Sequence, residues 1–182
     1  MELRRIGSVH GRLQPFHNGH LDYFKQAIAR SDYLFVGVTQ IFRPISSATT
    51  DRDGEESNPL TYLQRKLLVE ASLADIGLSR SRFEITPFPI EQPSRLYEFI
   101  PIDAVCYTTV VTPWNDEKII RLQAHGFKVE TLQISVPDNV RVTSGTEIRR
   151  LIRANDPSWA RFVPPVVGEL IAERMMDSFR RN

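Results

Sequence analysis

Gly11 to His20 reads GRLQPFHNGH, and this stretch decides the fold. The residues before it, Arg5-Ile6-Gly7-Ser8-Val9, have the character of a short buried strand. After it, Leu21, Phe24, Ala27 and Ile28 recur at helical spacing. A strand therefore passes through a short loop into a helix, with His17 and His20 at the helix start. Unpaired backbone N–H groups and the positive end of the helix dipole favour an anion at such a place. Histidine and arginine donors beside them point to a phosphate chain, and Arg12 supplies the arginine.

Further along, strand-like runs alternate with helical patterns. Tyr33 to Val38 is a second strand. A long polar stretch, Arg43 to Ser57, reads as a loop of the lid or binding kind. Leu63, Leu67, Leu68, Ala71 and Ala74 predict a helix that stops at Gly77. Phe83 to Thr86, Asp103 to Val111 and Phe127 to Leu132 are three more strands. A helix capped by Asn115 or Asp116 runs through Ile119, Ile120 and Leu122 to Gly126. Two last helices span Gly145 to Arg153 and Pro165 to about Phe179. This alternation predicts an α/β fold, a Rossmann-like doubly wound parallel sheet with helices on both faces and a C-terminal helical extension. Ligands bind such sheets beyond the C-terminal strand ends, where strand order reverses, and the Gly11–His20 loop follows the first strand.

The totals bound the rest. A chain of 182 residues suits one domain over 1–182, with a helical C-terminal part over about 144–182. With 23 basic and 22 acidic side chains, neither a nucleic-acid-coating surface nor a polybasic membrane anchor is expected. Met1 to Arg5 lack a signal-peptide core, and no run is long enough to span a bilayer, so a cytoplasmic protein is expected. The single cysteine, Cys106, lies in an apolar run and reads as a buried bystander in a reducing compartment.

A second constellation is Thr143 to Arg150, TSGTEIRR. Ser144 and Glu147 have capping-box spacing, so one reading is simply a well-made helix start. The other adds Thr146, Arg149, Arg150 and the free amides of the turn at Gly145 to make a second anion site. For His17 and His20 the alternatives are an idle surface loop or a zinc pair. Zinc is the poorer reading, because Cys106, His10 and His125 suggest no third ligand. His10 closes the first strand and reads as a packing or hydrogen-bonding residue; His125 suits the negative end of a helix.

His17-Asn18-Gly19-His20 after Gly11-Arg12 resembles the HxGH signature of the nucleotidylyltransferase superfamily, and Ser144 to Arg149 resembles its second signature. The wording of both is most similar to the archaeal-type nicotinamide-mononucleotide adenylyltransferases. Asn58-Pro59-Leu60-Thr61 with Arg65, and Trp159 to Pro164, resemble two further segments of that family. The resemblance implies transfer of a nucleotidyl group from a nucleoside triphosphate to a phosphate-bearing small molecule, with Mg2+ carried by the phosphates rather than by protein side chains. It implies His17, His20, Arg12 and Arg149 as catalytic residues. Gly11, Arg12, Leu13, His17, Gly19, His20, Ser144, Gly145, Thr146 and Arg149 are implied as nucleotide-binding residues. A homo-oligomer is also implied.

Two segments depart from that pattern: the residues after Gln40, where Arg52 is the arginine nearest to a phosphate-binding role, and Thr108 to Lys118, TTVVTPWNDEK. Trp114 there suits either base stacking or ordinary partial burial. Tyr97 stands near the place of a family tryptophan that stacks on nicotinamide, and reads otherwise as a core tyrosine. The favoured expectation is AMP transfer from ATP to nicotinamide or nicotinate mononucleotide, a step of NAD biosynthesis. The alternatives are a cytidylyltransferase using CTP and a small phosphate- or phosphonate-bearing acceptor, and a non-catalytic nucleotide-binding module. The intact pair of signatures speaks against the last.

Overall fold

The computed structural model of the protein describes residues 5–42, 54–109, 113–133 and 144–180. Five parallel strands form one sheet in the order β3-β2-β1-β4-β5: β1 Ile6–Gly11, β2 Tyr33–Val38, β3 Phe83–Pro87, β4 Val105–Thr109 and β5 Lys128–Leu132. This is the Rossmann-like α/β architecture that the alternation predicts. Strand order reverses between β1 and β4, which makes their C-terminal ends the ligand edge.

The chain divides into two compact units. The first comprises Met1–Gly11, Asp22–Gln40 and Ser79–Ser135 and holds the sheet. Its core on one face is Phe88, Ile90, Leu96, Ile100, Cys106, Leu122 and Phe127, with Leu122 supplied by helix α3 (Pro113–Ala124). Cys106 is buried as expected, and burial pushes its thiol up to about 12, which leaves it inert. On the opposite face, helix α1 (Asn18–Ile28) buries Tyr23, Phe24 and Ala27. Tyr107 alternates to that side, and a Cβ on Gly7 would stand 2.8 Å from its ring, so the strand needs glycine there.

The Tyr23 hydroxyl has a particular place in this unit. It accepts from the His10 amide and donates to the Tyr107 carbonyl. It thus stands between the ends of β1 and β4, whose direct pairing runs from Gly7↔Val105 to Ser8↔Cys106.

The second unit comprises Arg12–Leu21, Ile41–Leu78 and Val136–Asn182. Helix α2 (Tyr62–Asp75) starts with a complete capping box between Thr61 and Gln64 and ends before Gly77 at φ 77°. It packs on α5 (Pro165–Arg174), while α4 (Gly145–Arg153) packs on the turn Pro157–Phe162 and on α6 (Met176–Arg180). Leu68, Leu73, Ile148, Ile152, Val167, Ile171 and Phe179 fill the interior.

Three expectations are corrected. The last helix is broken at Met175, where φ is −128°. The helix at 113 begins on its proline, a favoured first position, rather than after Asn115 or Asp116. Tyr97 is no core residue: it lies on the turn Pro93–Glu98 and is 68% exposed. The expected Arg43–Ser57 loop lies largely outside the described residues, as do Arg52 and Thr143.

Candidate functional site

The loop between β1 and α1 is over-determined by its own residues. Leu13 takes a left-handed backbone, φ 56°, and its side chain is buried. The Gln14 amide grips Leu60 on both sides, donating to its carbonyl and accepting from its N–H, each at 2.9 Å. Arg65, fully buried, donates to the Arg12 carbonyl at 2.9 Å and to the Thr61 carbonyl. A left-handed leucine is costly, and these bonds hold it in place.

At the loop end, the His17 carbonyl accepts the first helical bond of α1, from Leu21. His17 and His20 lie ring on ring, centroids 3.7 Å apart, with Phe16 beside His20. The Nδ1 atoms of both histidines are sealed from solvent and have no partner among the described residues. Burial lowers His17 to about 4. Burial also lowers His20, with further lowering from His17 and Arg12. Both imidazoles are therefore neutral at pH 7, each with one N–H to donate. Gly19 sits in the first turn of α1, and Gly11 ends β1, its carbonyl accepting from Thr39 N–H.

The second signature meets the first in this unit. Ser144 caps α4 and accepts from the Glu147 amide, while the Glu147 carboxylate holds Arg150 in a surface pair. Gly145 passes so close to the loop that a Cβ would stand 2.8 Å from the Gln14 carbonyl. Arg149 is 4% exposed; it donates to the Gln14 carbonyl at 2.7 Å and to Thr146 Oγ1 at 3.1 Å. Both acceptors are neutral, and no carboxylate pairs with Arg149 among the described residues. A buried guanidinium without a counter-charge is a standing demand for an anion. Burial, together with the nearby Arg12 charge, lowers Arg149 and Arg65 to about 10. Arg12, Arg65, Arg149 and the two histidines thus form one electropositive cluster suited to a polyphosphate.

Sequence reasoning placed Arg12, His17, His20, Ser144, Gly145, Thr146 and Arg149 here, and the structure brings them into one unit. It missed Gln14 as the residue whose carbonyl ties the two signatures together. No signal but its place before Pro15 marked it. The Trp114 side chain lies outside the described residues; its backbone belongs to α3. Among the described residues no three His, Cys, Asp or Glu side chains converge on a metal position. No helix among them is long and apolar enough to cross a membrane. His125 is exposed and its ring bonds the Arg121 carbonyl, the helix-end role expected of it.

Comparison with known proteins adds to this geometry. A model of the cytidylyltransferase-like family matches residues 9–151. The chain is 37% identical over 182 residues to phosphonoformate cytidylyltransferase from Streptomyces viridochromogenes, covering 97% of this chain and 95% of that protein. It is 30% identical over 171 residues to nicotinamide-nucleotide adenylyltransferase from Saccharolobus solfataricus, covering 92% and 90%. A bifunctional NMN adenylyltransferase/ADP ribose pyrophosphatase from Francisella tularensis shares the fold with a TM-score of 0.70 at 16% identity, over 98% of this chain and 53% of that one. That enzyme has also been solved with AMP and a manganese ion, a structure matched at a TM-score of 0.68 and 16% identity over 98% and 52% of the two chains.

Proposed function

Since this chain belongs to the cytidylyltransferase-like family and is a nucleotidylyltransferase, we propose that it transfers CMP from CTP to a small phosphonate- or phosphate-bearing acid and releases pyrophosphate. The observation that carries the chemistry is Arg149, buried and cationic, whose acceptors among the described residues are both neutral. An oxygen of the acceptor attacks the α-phosphorus in line. The bond from that phosphorus to the β-phosphate bridging oxygen breaks, and its electrons leave on pyrophosphate. The protein needs no covalent intermediate; its work is alignment and charge stabilisation. His17 and His20 donate N–H to phosphate oxygens. Arg12 and Arg149 meet the charge that grows on the leaving group. Ser144, Thr146 and the amides of Gly145 and Gly19 complete the cradle, and Gly11 and Leu13 are its remaining nucleotide-binding positions. A divalent cation carried by the triphosphate supplies further neutralisation, in keeping with the manganese of the Francisella enzyme.

The identity of 37% along almost the whole chain supports cytidylyl transfer, as do the two segments that depart from the archaeal adenylyltransferase pattern. A second reading, AMP transfer from ATP to nicotinamide or nicotinate mononucleotide, is favoured by the wording of GRLQPFHNGH and SGTEIRR and by the Saccharolobus relative. Under it Tyr97 and Trp114 are acceptor-stacking candidates, and the exposed Tyr97 ring is free to take such a part. Pyrophosphate release from each of four nucleoside triphosphates, against phosphonoformate, nicotinamide mononucleotide and other phosphate acceptors, separates the readings. Turnover with CTP and a phosphonate is expected, and EDTA should abolish it. Turnover with ATP and the mononucleotide alone overturns the first reading in favour of the second. No turnover with any pair overturns both and leaves a nucleotide-binding module.

A further inference from the structure

The ligand edge of the sheet carries a second polar site, outside the phosphate cluster and built within the first unit. His10 is the next-to-last residue of β1 and is 4% exposed. Its ring lies flat on Phe88, centroids 4.3 Å apart and planes 1° from parallel. Gly37, its register partner on β2, has no room for a side chain, because a Cβ would stand 2.4 Å from the Phe88 ring. So one face of the imidazole is fixed by stacking, and its plane is set. Yet both ring nitrogens are buried and have no partner among the described residues. Thr108 holds the matching position on β4, two residues beyond Cys106 as His10 is two beyond Ser8. Its hydroxyl is likewise buried and without a partner among the described residues. Buried polar atoms are nearly always paired, and clustered exceptions call for a reason. Both exceptions lie at the strand ends where order reverses and where the Tyr23 hydroxyl takes the place of a direct β1–β4 bond.

We infer that His10 and Thr108 form the subsite for the carboxylate of a small phosphonate or phosphate acid, and so set which acceptor is used. The inference rests on the proposed transfer reaction for the role of that acid, but not for the subsite itself. A neutral imidazole offers one N–H and one lone pair, and the threonine offers one O–H. Two such donors fit the two oxygens of a carboxylate. A carboxylate suits the pair better than a neutral amide, because both groups have a proton to donate and both carboxylate oxygens only accept. In the chain, His10 precedes Arg12 of the phosphate cluster by two residues.

The test is calorimetric titration of phosphonoformate and of methylphosphonate, which lacks the carboxylate, onto the full chain in EDTA, with and without CTP. The wild type should prefer phosphonoformate by about 10- to 100-fold, the worth of hydrogen bonds to a charged group. His10→Leu and Thr108→Val should abolish the preference, and Thr108→Ser should keep it. The melting temperatures of His10→Leu and Thr108→Val should equal or exceed that of the wild type, since each removes an unpaired buried polar group. A merely structural role predicts the reverse, a lower melting temperature and an unchanged preference. A preference that persists in both variants, or that the wild type lacks, overturns the inference. If the preference is present but no CMP transfer occurs, the carboxylate subsite stands and the transfer reading alone falls.

Discussion

Acid should unfold this protein through His17 before any carboxylate is involved. In the unfolded chain a histidine titrates near about 6.5. In the folded protein burial lowers His17 to about 4, and the residue is 9% exposed, so solvent screens little of the effect. Between these values the unfolded state holds a proton that the folded state does not. Stability therefore rises with pH across the window and is lost as pH falls through it. The shift has a ceiling of about 3.4 kcal/mol, at about 1.36 kcal/mol per pKa unit. At pH 5 the loss from this residue alone is about 2 kcal/mol, most of it below pH 6. His10 and His20 act in the same direction, because burial lowers both. The assay is urea unfolding of wild type and His17→Gln at a series of pH values from 7.5 to 5. Glutamine keeps polar atoms but cannot take the proton. The stability gap between the two proteins should change by about 2 kcal/mol across that range, in favour of the variant at low pH. Parallel curves would falsify the view that His17 is buried and neutral in the folded state. Pyrophosphate should reverse the trend: an anion against the imidazoles favours their charged form, so binding at pH 6 should take up protons.

Other outcomes follow from the same contacts. Arg149→Met should lower kcat/KM by about 100- to 1,000-fold in a pyrophosphate-release assay, with little change in melting temperature, since removal of an uncompensated buried charge offsets the lost hydrogen bonds. Arg149→Lys should not rescue it, because one ammonium cannot reproduce the fork that spans the Gln14 carbonyl and Thr146 Oγ1; full rescue would refute the geometric role. Gly145→Ala drives a methyl to 2.8 Å from the Gln14 carbonyl and should cost about 1–3 kcal/mol in denaturant unfolding as well as activity. Tyr23→Phe leaves the His10 N–H and the Tyr107 carbonyl without their bridge, and should lower stability by about 1–3 kcal/mol; an unchanged unfolding midpoint would mean that the two strand ends close directly.

Much of the architecture is readable in local pattern. Tyr33–Val38 is a strand because six apolar or small residues lie together with β-branched members, and Gly145–Arg153 is a helix because Ser144 caps it and Ile148, Leu151 and Ile152 share a face. Where the reading slipped, a distant partner had the last word. The strand reading closed at His10, but β1 runs on to Gly11, because Val38 pairs with Gly11. The final helix reads as continuous to Phe179, yet Ser178 accepts from the Gln64 amide and the Phe179 carbonyl accepts from Arg153, so the last turn is held from outside and the chain breaks at Met175. Tyr97 looks apolar enough for the core, but its six-residue turn buries Leu96 in its place.

The candidate site divides in the same way. Residue types and their spacing along the chain announce GRLQPFHNGH and SGTEIRR as anion-binding helix starts, because a helix terminus exposes its donors locally and needs no partner to do so. Nothing local says that the Gln14 carbonyl, 135 residues from Arg149, is the acceptor that fixes the guanidinium. Nor does any pattern reveal that His10, an unremarkable strand-end residue in the linear chain, stands buried with both ring nitrogens unpaired among the described residues. Burial and partnership are properties of the folded chain. They depend on which distant atoms exclude water from a group, and that is decided only when the strands meet.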